Sequence, residues 1–204
     1  MAKVKKTKGE LKAQRGALRR YHRFLPTLEL KKRQLQREVR HAELMWREHA
    51  AREAALVESM RPWVKLLSSW PDLAAYVRLE HLDLESANIA GVTVPTLAGV
   101  RFAEPAIDYF ATPPWLEDAV VALCELIAVR AEQLVLLRQR ELLAEELRIT
   151  SQRVNLLEKV MIVRAEENIR VIRIALGDAS TAAVARAKLA KSKIAELRSG
   201  VAGE

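Results

Sequence analysis

Apolar side chains in the first sixty residues recur at steps of three and four. Leu11, Leu18, Leu25, Val39 and Trp46 form one row, and Tyr21, Leu28, Leu35 and Ala42 form its companion. This period marks an amphipathic helix whose stripe faces a partner helix, so the spacing predicts one long first helix over 10–71. Gln14 and Lys32 interrupt the stripe. Pro26 lies inside it and predicts a kink or break near Phe24–Leu25, because proline has no N–H for the helix ladder. Pro62 and Pro71 mark the decay of the helix.

Residues 72–114 differ in kind. They hold four of the seven prolines, at 95, 105, 113 and 114, and glycines at 91 and 99. The β-branched run from Val92 to Phe102 predicts a short hairpin, with strands near 86–94 and 99–103. From Trp115 to Leu176 there is neither Gly nor Pro. A second long helix over 115–176 follows, and as continuous helix it would span ~90 Å at 1.5 Å per residue. A compact globule of this chain length would be only about 35–40 Å across, so the pattern predicts an elongated molecule. Glu117 and Asp118 suit the N-terminal dipole of that helix, and Gly177 is its expected stop. The predicted fold is all-α: a long antiparallel two-helix coiled coil with a short β-hairpin-containing middle segment. Basic tails flank it at 1–9 and at 177–204, the latter partly helical or disordered.

The second helix carries two apolar rows. Leu147, Val154, Leu157 and Met161 lie on one face; Asn155, Glu158, Ile162, Ala165, Ile169, Ile172 and Leu176 lie on another. A helix pair needs one seam, so the second row predicts a further partner. The alternative is supercoil drift, because 3.6 does not divide 7. Asn155 and Glu158 are expected as polar seam residues that set register, in preference to partner contacts.

Composition agrees with long helices: half of the chain is hydrophobic and only 5% is aromatic. The formal net charge of +8 is uneven, since residues 1–40 hold 14 Lys or Arg against 3 Asp or Glu. Antiparallel pairing would bring Lys5, Lys6, Lys8, Arg15, Arg19 and Arg20 beside the basic segment 178–198, making one positive tip. The single cysteine, Cys124, reads as a small buried hydrophobe. No apolar stretch is long enough to cross a membrane and no secretory start is present, so a soluble, cytoplasmic protein is expected. His22, His41, His49 and His81 are scattered. No phosphate loop, nucleophile elbow or metal-ligand spacing occurs, so no catalytic, cofactor-binding or metal residue and no cofactor is expected. The basic start could hold nucleic-acid phosphates, and a plain coiled-coil scaffold is another reading.

One segment is more specific. Residues 150–176 read Thr-Ser-Gln-Arg-Val-Asn-Leu-Leu-Glu-Lys-Val-Met-Ile-Val-Arg-Ala-Glu-Glu-Asn-Ile-Arg-Val-Ile-Arg-Ile-Ala-Leu. This resembles the C-terminal helix of the D subunit of V/A-type (vacuolar/archaeal-type) rotary ATPases. Arg153, Val154, Asn155, Leu157 and Glu158 match the family motif, as do Ile162, Ile169 and Ile172, whereas Val163 stands where proline is usual. Leu25-Pro-Thr-Leu-Glu-Leu-Lys-Lys-Arg-Gln-Leu35 is similar to a segment of the family's first helix, in the form of a divergent bacterial branch. The resemblance implies a non-catalytic central rotor shaft coupling ATP hydrolysis or synthesis to ion translocation. It also implies partners: an alternating catalytic and non-catalytic hexamer, the small F subunit of the stalk, and a membrane-side socket subunit of the rotor ring. Neither nucleic acid nor direct membrane insertion is implied.

Overall fold

The computed structural model describes residues 4–69, 73–105, 107, 108 and 110–201, with backbone alone over 196–201. The elements in order are α1 (Lys8–Met60), α2 (Val64–Leu67), α3 (Leu73–Tyr76), β1 (Leu79–Ile89), β2 (Val92–Phe102), α4 (Leu116–Leu156), a π-helical segment (Leu157–Ile162) and α5 (Val163–Val201). None of the described helices is long and apolar enough to cross a membrane.

Helix α1 starts earlier than its apolar stripe because it is capped. The Glu10 amide donates to Thr7 Oγ1 at 3.2 Å, the first half of a capping box. Its stripe continues from Leu11 through Lys32 and Trp46 to His49, Glu53, Leu56 and Met60, all buried or half-buried at the same alternating steps. The helix runs unbroken through Pro26, contrary to the break expected there. Pro26 lies on the exposed side. There the His22 carbonyl, which loses its ladder partner to proline, can turn toward water. Leu25 and Leu28 are held in the stripe on either side, and the Thr27 hydroxyl donates to the Phe24 carbonyl at 3.0 Å. The helix does end before Pro62, whereas Pro71 falls outside the described residues.

The chain divides into two compact units, residues 30–151 and residues 1–29 with 152–204. In the first unit, α1 and α4 pair antiparallel, since rising positions on one meet falling positions on the other. Lys31 meets Glu146 at 2.7 Å, His49 meets Glu132 at 3.0 Å, and Arg52 meets Glu125 at 2.8 Å. Strands β1 and β2 form an antiparallel hairpin, with Ile89 opposite Val92 and Ala87 opposite Val94. Its turn is two residues long, Ala90 at φ 52° and Gly91 at φ 79°. Two consecutive positive φ values are the primed turn that matches strand twist. Asn88 Oδ1 accepts from the Gly91 amide at 3.0 Å and closes it. Both strands are therefore eleven residues long, and the expected strand 86–94 in fact straddles the turn. The hairpin is tied to α4, where Gln139 Nε2 donates to the Pro95 carbonyl at 2.7 Å. Its tip completes a core of Leu35, Ala42, Val94 and Leu143, around which Val39, Ile89, Val92 and Leu147 pack. Cys124 is half-buried, and that burial pushes its thiol pKa up.

In the second unit the start of α1 lies beside α5, with Asn168 Nδ2 donating to Gln14 Oε1 at 3.5 Å. Helix α5 does not stop at Gly177 but continues to Val201. An interior glycine costs about 1 kcal/mol, and the Ala- and Lys-rich residues after it outweigh that single defect. Residues 177–195 are exposed throughout.

The π-helical segment accounts for the two apolar rows. One row of low exposure runs Leu143, Leu147, Thr150, Val154, Leu157, Met161, at alternating steps of four and three. A second runs Ile162, Ala165, Ile169, Ile172, Leu176, at the same alternation. They meet at adjacent residues, Met161 and Ile162. The chain carries one residue too many for a continuous seam, and the wider π turn at Leu157–Ile162 takes it up.

Candidate functional site

Three surfaces carry the side chains through which this fold could act. The first is the motif segment around the π turn. Val154, Ile162, Ile169 and Ile172 are buried and Leu157 is half-buried, so these residues serve the helix pair. Arg153, Asn155 and Glu158 are exposed. Asn155 and Glu158 were expected inside the seam, and the structure corrects this. They share a row with Ile162 only if the helix is α throughout, and the extra residue in the π turn swings them outward. An exposed apolar row remains, Leu156, Val160 and Val163, at 52%, 46% and 55% exposure. The apolar character on two sides is therefore real, but the outward row consists of these three residues.

The second surface is basic. Lys5, Lys6, Lys8, Arg15, Arg19 and Arg20 are all exposed, and none has an ion-pair partner among the described residues. Arg15 and Arg19 line an open groove of about 650 Å³ together with Arg170 and Arg173, over a floor of Leu18, Ile169 and Ile174. Arg170 is bound to Glu167 at 2.7 Å, and those hydrogen bonds hold the Glu167 carboxyl below the usual carboxylate range. The expected neighbours of the basic start, within 178–198, are not the ones found. The Gln14–Asn168 contact sets a register in which residues 166–174 flank α1. Arg170 and Arg173 were missed for that reason; the antiparallel register, once known, would have pointed to them.

The third surface is an apolar groove of about 540 Å³ between the hairpin and α4. Leu79, Leu82 and Leu84 of β1 face Leu126, Ile127 and Leu134 of α4 across it. Arg130 and Arg138 stand at its rim, paired with Glu53 and Glu141. The period-two alternation of Leu82 and Leu84 was the available signal, but Asp83 between them and Glu85 after them masked it.

One unit pairs two helices braced by a hairpin beside an apolar groove, and the other is helical with a basic surface and an exposed apolar row, so the class is a mainly helical protein with one small hairpin. Its relatives narrow that class. The family model for the ATP synthase D subunit matches residues 10–192. The V-type ATP synthase D subunit of Borreliella burgdorferi is 39% identical over 194 residues, 95% of this chain and 96% of that protein. Its namesakes in Chlamydia caviae and Chlamydia trachomatis are each 33% identical over 196 residues, covering 94% and 97% of those proteins. The chain belongs to the family of ATP synthase D subunits, the central-stalk components of V-type ATP synthases.

Proposed function

We propose that this chain is a non-catalytic rotor shaft, turning inside an alternating hexamer of catalytic and non-catalytic subunits. Torque is its product, and a shaft needs no reactive group for that. It needs a stem that resists twisting and a cross-section that differs with angle. A catalytic subunit has open and closed conformations, and a shaft that packs better against one of them shifts its population. Nucleotide state biases the shaft angle in return, because coupling between sites is reciprocal.

The observation that best supports this reading is the match of both long helices and the hairpin to a stalk family along nearly the whole chain. The surfaces suit partners of three kinds. The unpaired basic residues Lys5, Lys6, Lys8, Arg15, Arg19 and Arg20 would face carboxylates lining the hole of the hexamer. Diffuse charge attraction varies little with angle, so such a basic surface can turn as a bearing. The outward row Leu156–Val160–Val163 and the groove beside Leu84 and Leu134 offer apolar area to the small F subunit of the stalk. A membrane-side socket subunit would connect the shaft to the rotor ring, leaving this chain peripheral to the bilayer.

A reversible tether tests the proposal. A cysteine replacing Arg19, oxidised to a cysteine on the lining of the hexamer, should stop ATP turnover, and reduction should restore it. Turnover that persists through the intact disulfide would refute a turning shaft.

A further inference from the structure

The one-residue excess in the second helix must be taken up somewhere, and the residues on either side decide where. Suppose the π turn moved two turns toward the N-terminus. The row of Ile162 and Ala165 would then extend back through Glu158 and Asn155, placing a carboxylate and an amide in the seam. Suppose instead that it moved two turns toward the C-terminus. The row of Leu157 and Met161 would then extend through Arg164 and Asn168. Either move replaces apolar seam residues with polar ones, among them the Glu158 carboxylate or the Arg164 guanidinium. Burying an unpaired charge or amide is strongly unfavourable. Only at Leu157–Ile162 do both rows meet with apolar residues on each side of the join.

We infer that Asn155 and Glu158 pin the π turn, and through it the face that the motif segment shows outward. They are positioning residues that act by being unwelcome in the seam. With the turn in place, Val154 is buried while Asn155 and Glu158 are exposed. With the turn displaced toward the N-terminus, the helix between the two positions would rotate by about 100°, the angular step of one residue. Leu157 and Met161 would then look outward, while Val154 would keep its place in the seam. The pin thus fixes which side chains any partner of this segment meets. That last consequence rests on the stalk reading, whereas the pinning itself does not.

Single cysteines in a Cys124→Ser background read the phase of the helix directly, through their rate of alkylation in the full-length chain. Cysteines replacing Val154, Leu157 and Ile169 should react about tenfold more slowly than those replacing Asn155 and Glu158, since seam positions open only by local unfolding. In an Asn155→Leu/Glu158→Leu background, the cysteine at position 157 should become fast, while those at 154 and 169 stay slow. Slow reaction at 157 in that background would overturn the pinning, and so would loss of the helical signal of the double variant. A chain with Val160 deleted supplies the converse. Having no excess residue, it should be α-helical throughout, keep 157 slow even with Asn155→Leu/Glu158→Leu, and melt no lower than the parent. Fast reaction at 157 in the deleted chain, or a lower melting point, would contradict the one-residue excess.

Discussion

Two leucines five residues apart on α1 should behave very differently on truncation. Leu35 is fully buried against Ala42, Val94 and Leu143, where the hairpin tip meets both helices. Leu30 is 56% exposed. Leu35→Ala removes the buried end of a side chain from a site that hairpin and helices hold open, so both the transfer loss and the residual cavity apply. That combination costs about 3–4 kcal/mol. For a chain of this size it should lower Tm by about 6–16 °C. Leu30→Ala should stay within about 0.5 kcal/mol of the parent, as surface changes do. Urea unfolding followed by circular dichroism measures both, and a shifted midpoint at constant slope identifies a pure stability change. Combining Leu35→Ala with Val94→Ala should cost less than the sum of the two, because the same cavity is opened twice. Equal losses for Leu30→Ala and Leu35→Ala would show that the phase of the α1 stripe has been misassigned.

Other expectations follow from single features. Gly91→Ala forces a side chain into the left-handed conformation at φ 79° and should destabilise the hairpin by about 1 kcal/mol or more, seen as faster amide exchange along β1 and β2. Thr7→Ala removes the cap on the Glu10 amide and should cost about 1 kcal/mol locally, seen as faster exchange in the first turn of α1. Val154→Asp with Leu157→Asp places two carboxylates in the seam and should disrupt the packing of the helix around the π turn, measured as a loss of cooperative unfolding. Neutralising Lys5, Lys6, Lys8, Arg15 and Arg19 together should weaken assembly with the hexamer, and high salt should weaken the parent likewise. Assembly indifferent to both would show that apolar contacts hold that end.

Much of this architecture was legible from periodicity. The α1 stripe read from Leu11 to Trp46 is the low-exposure row of the helix, and it extends to Met60. Local readings fared worse where tertiary packing overrode a propensity. Pro26 and Gly177 both looked like breaks, yet seam leucines carry α1 through the first and a run of good helix formers carries α5 through the second. The hairpin turn was misplaced because Ala90 is not a usual residue for positive φ; the Asn88 side chain, two residues earlier, supplies the closure. The π turn was present in the sequence as two rows of the same alternation meeting at Met161 and Ile162. It was misread because both rows were assumed to lie on one regular helix. The same assumption put Asn155 and Glu158 into the seam. The basic residues were identified from composition, but their neighbours depend on the register of two helices, which no single stretch of sequence specifies.

The central claim, that this chain is the shaft of a rotary ATPase, is tested most directly by what it brings with it. Affinity purification of a tagged chain from its native membranes, under mild detergent, should recover the nucleotide-binding subunits of the hexamer in constant proportion, one shaft to each hexamer. Recovery of the chain free of any ATPase component, with the hexamer intact elsewhere in the same extract, would contradict it.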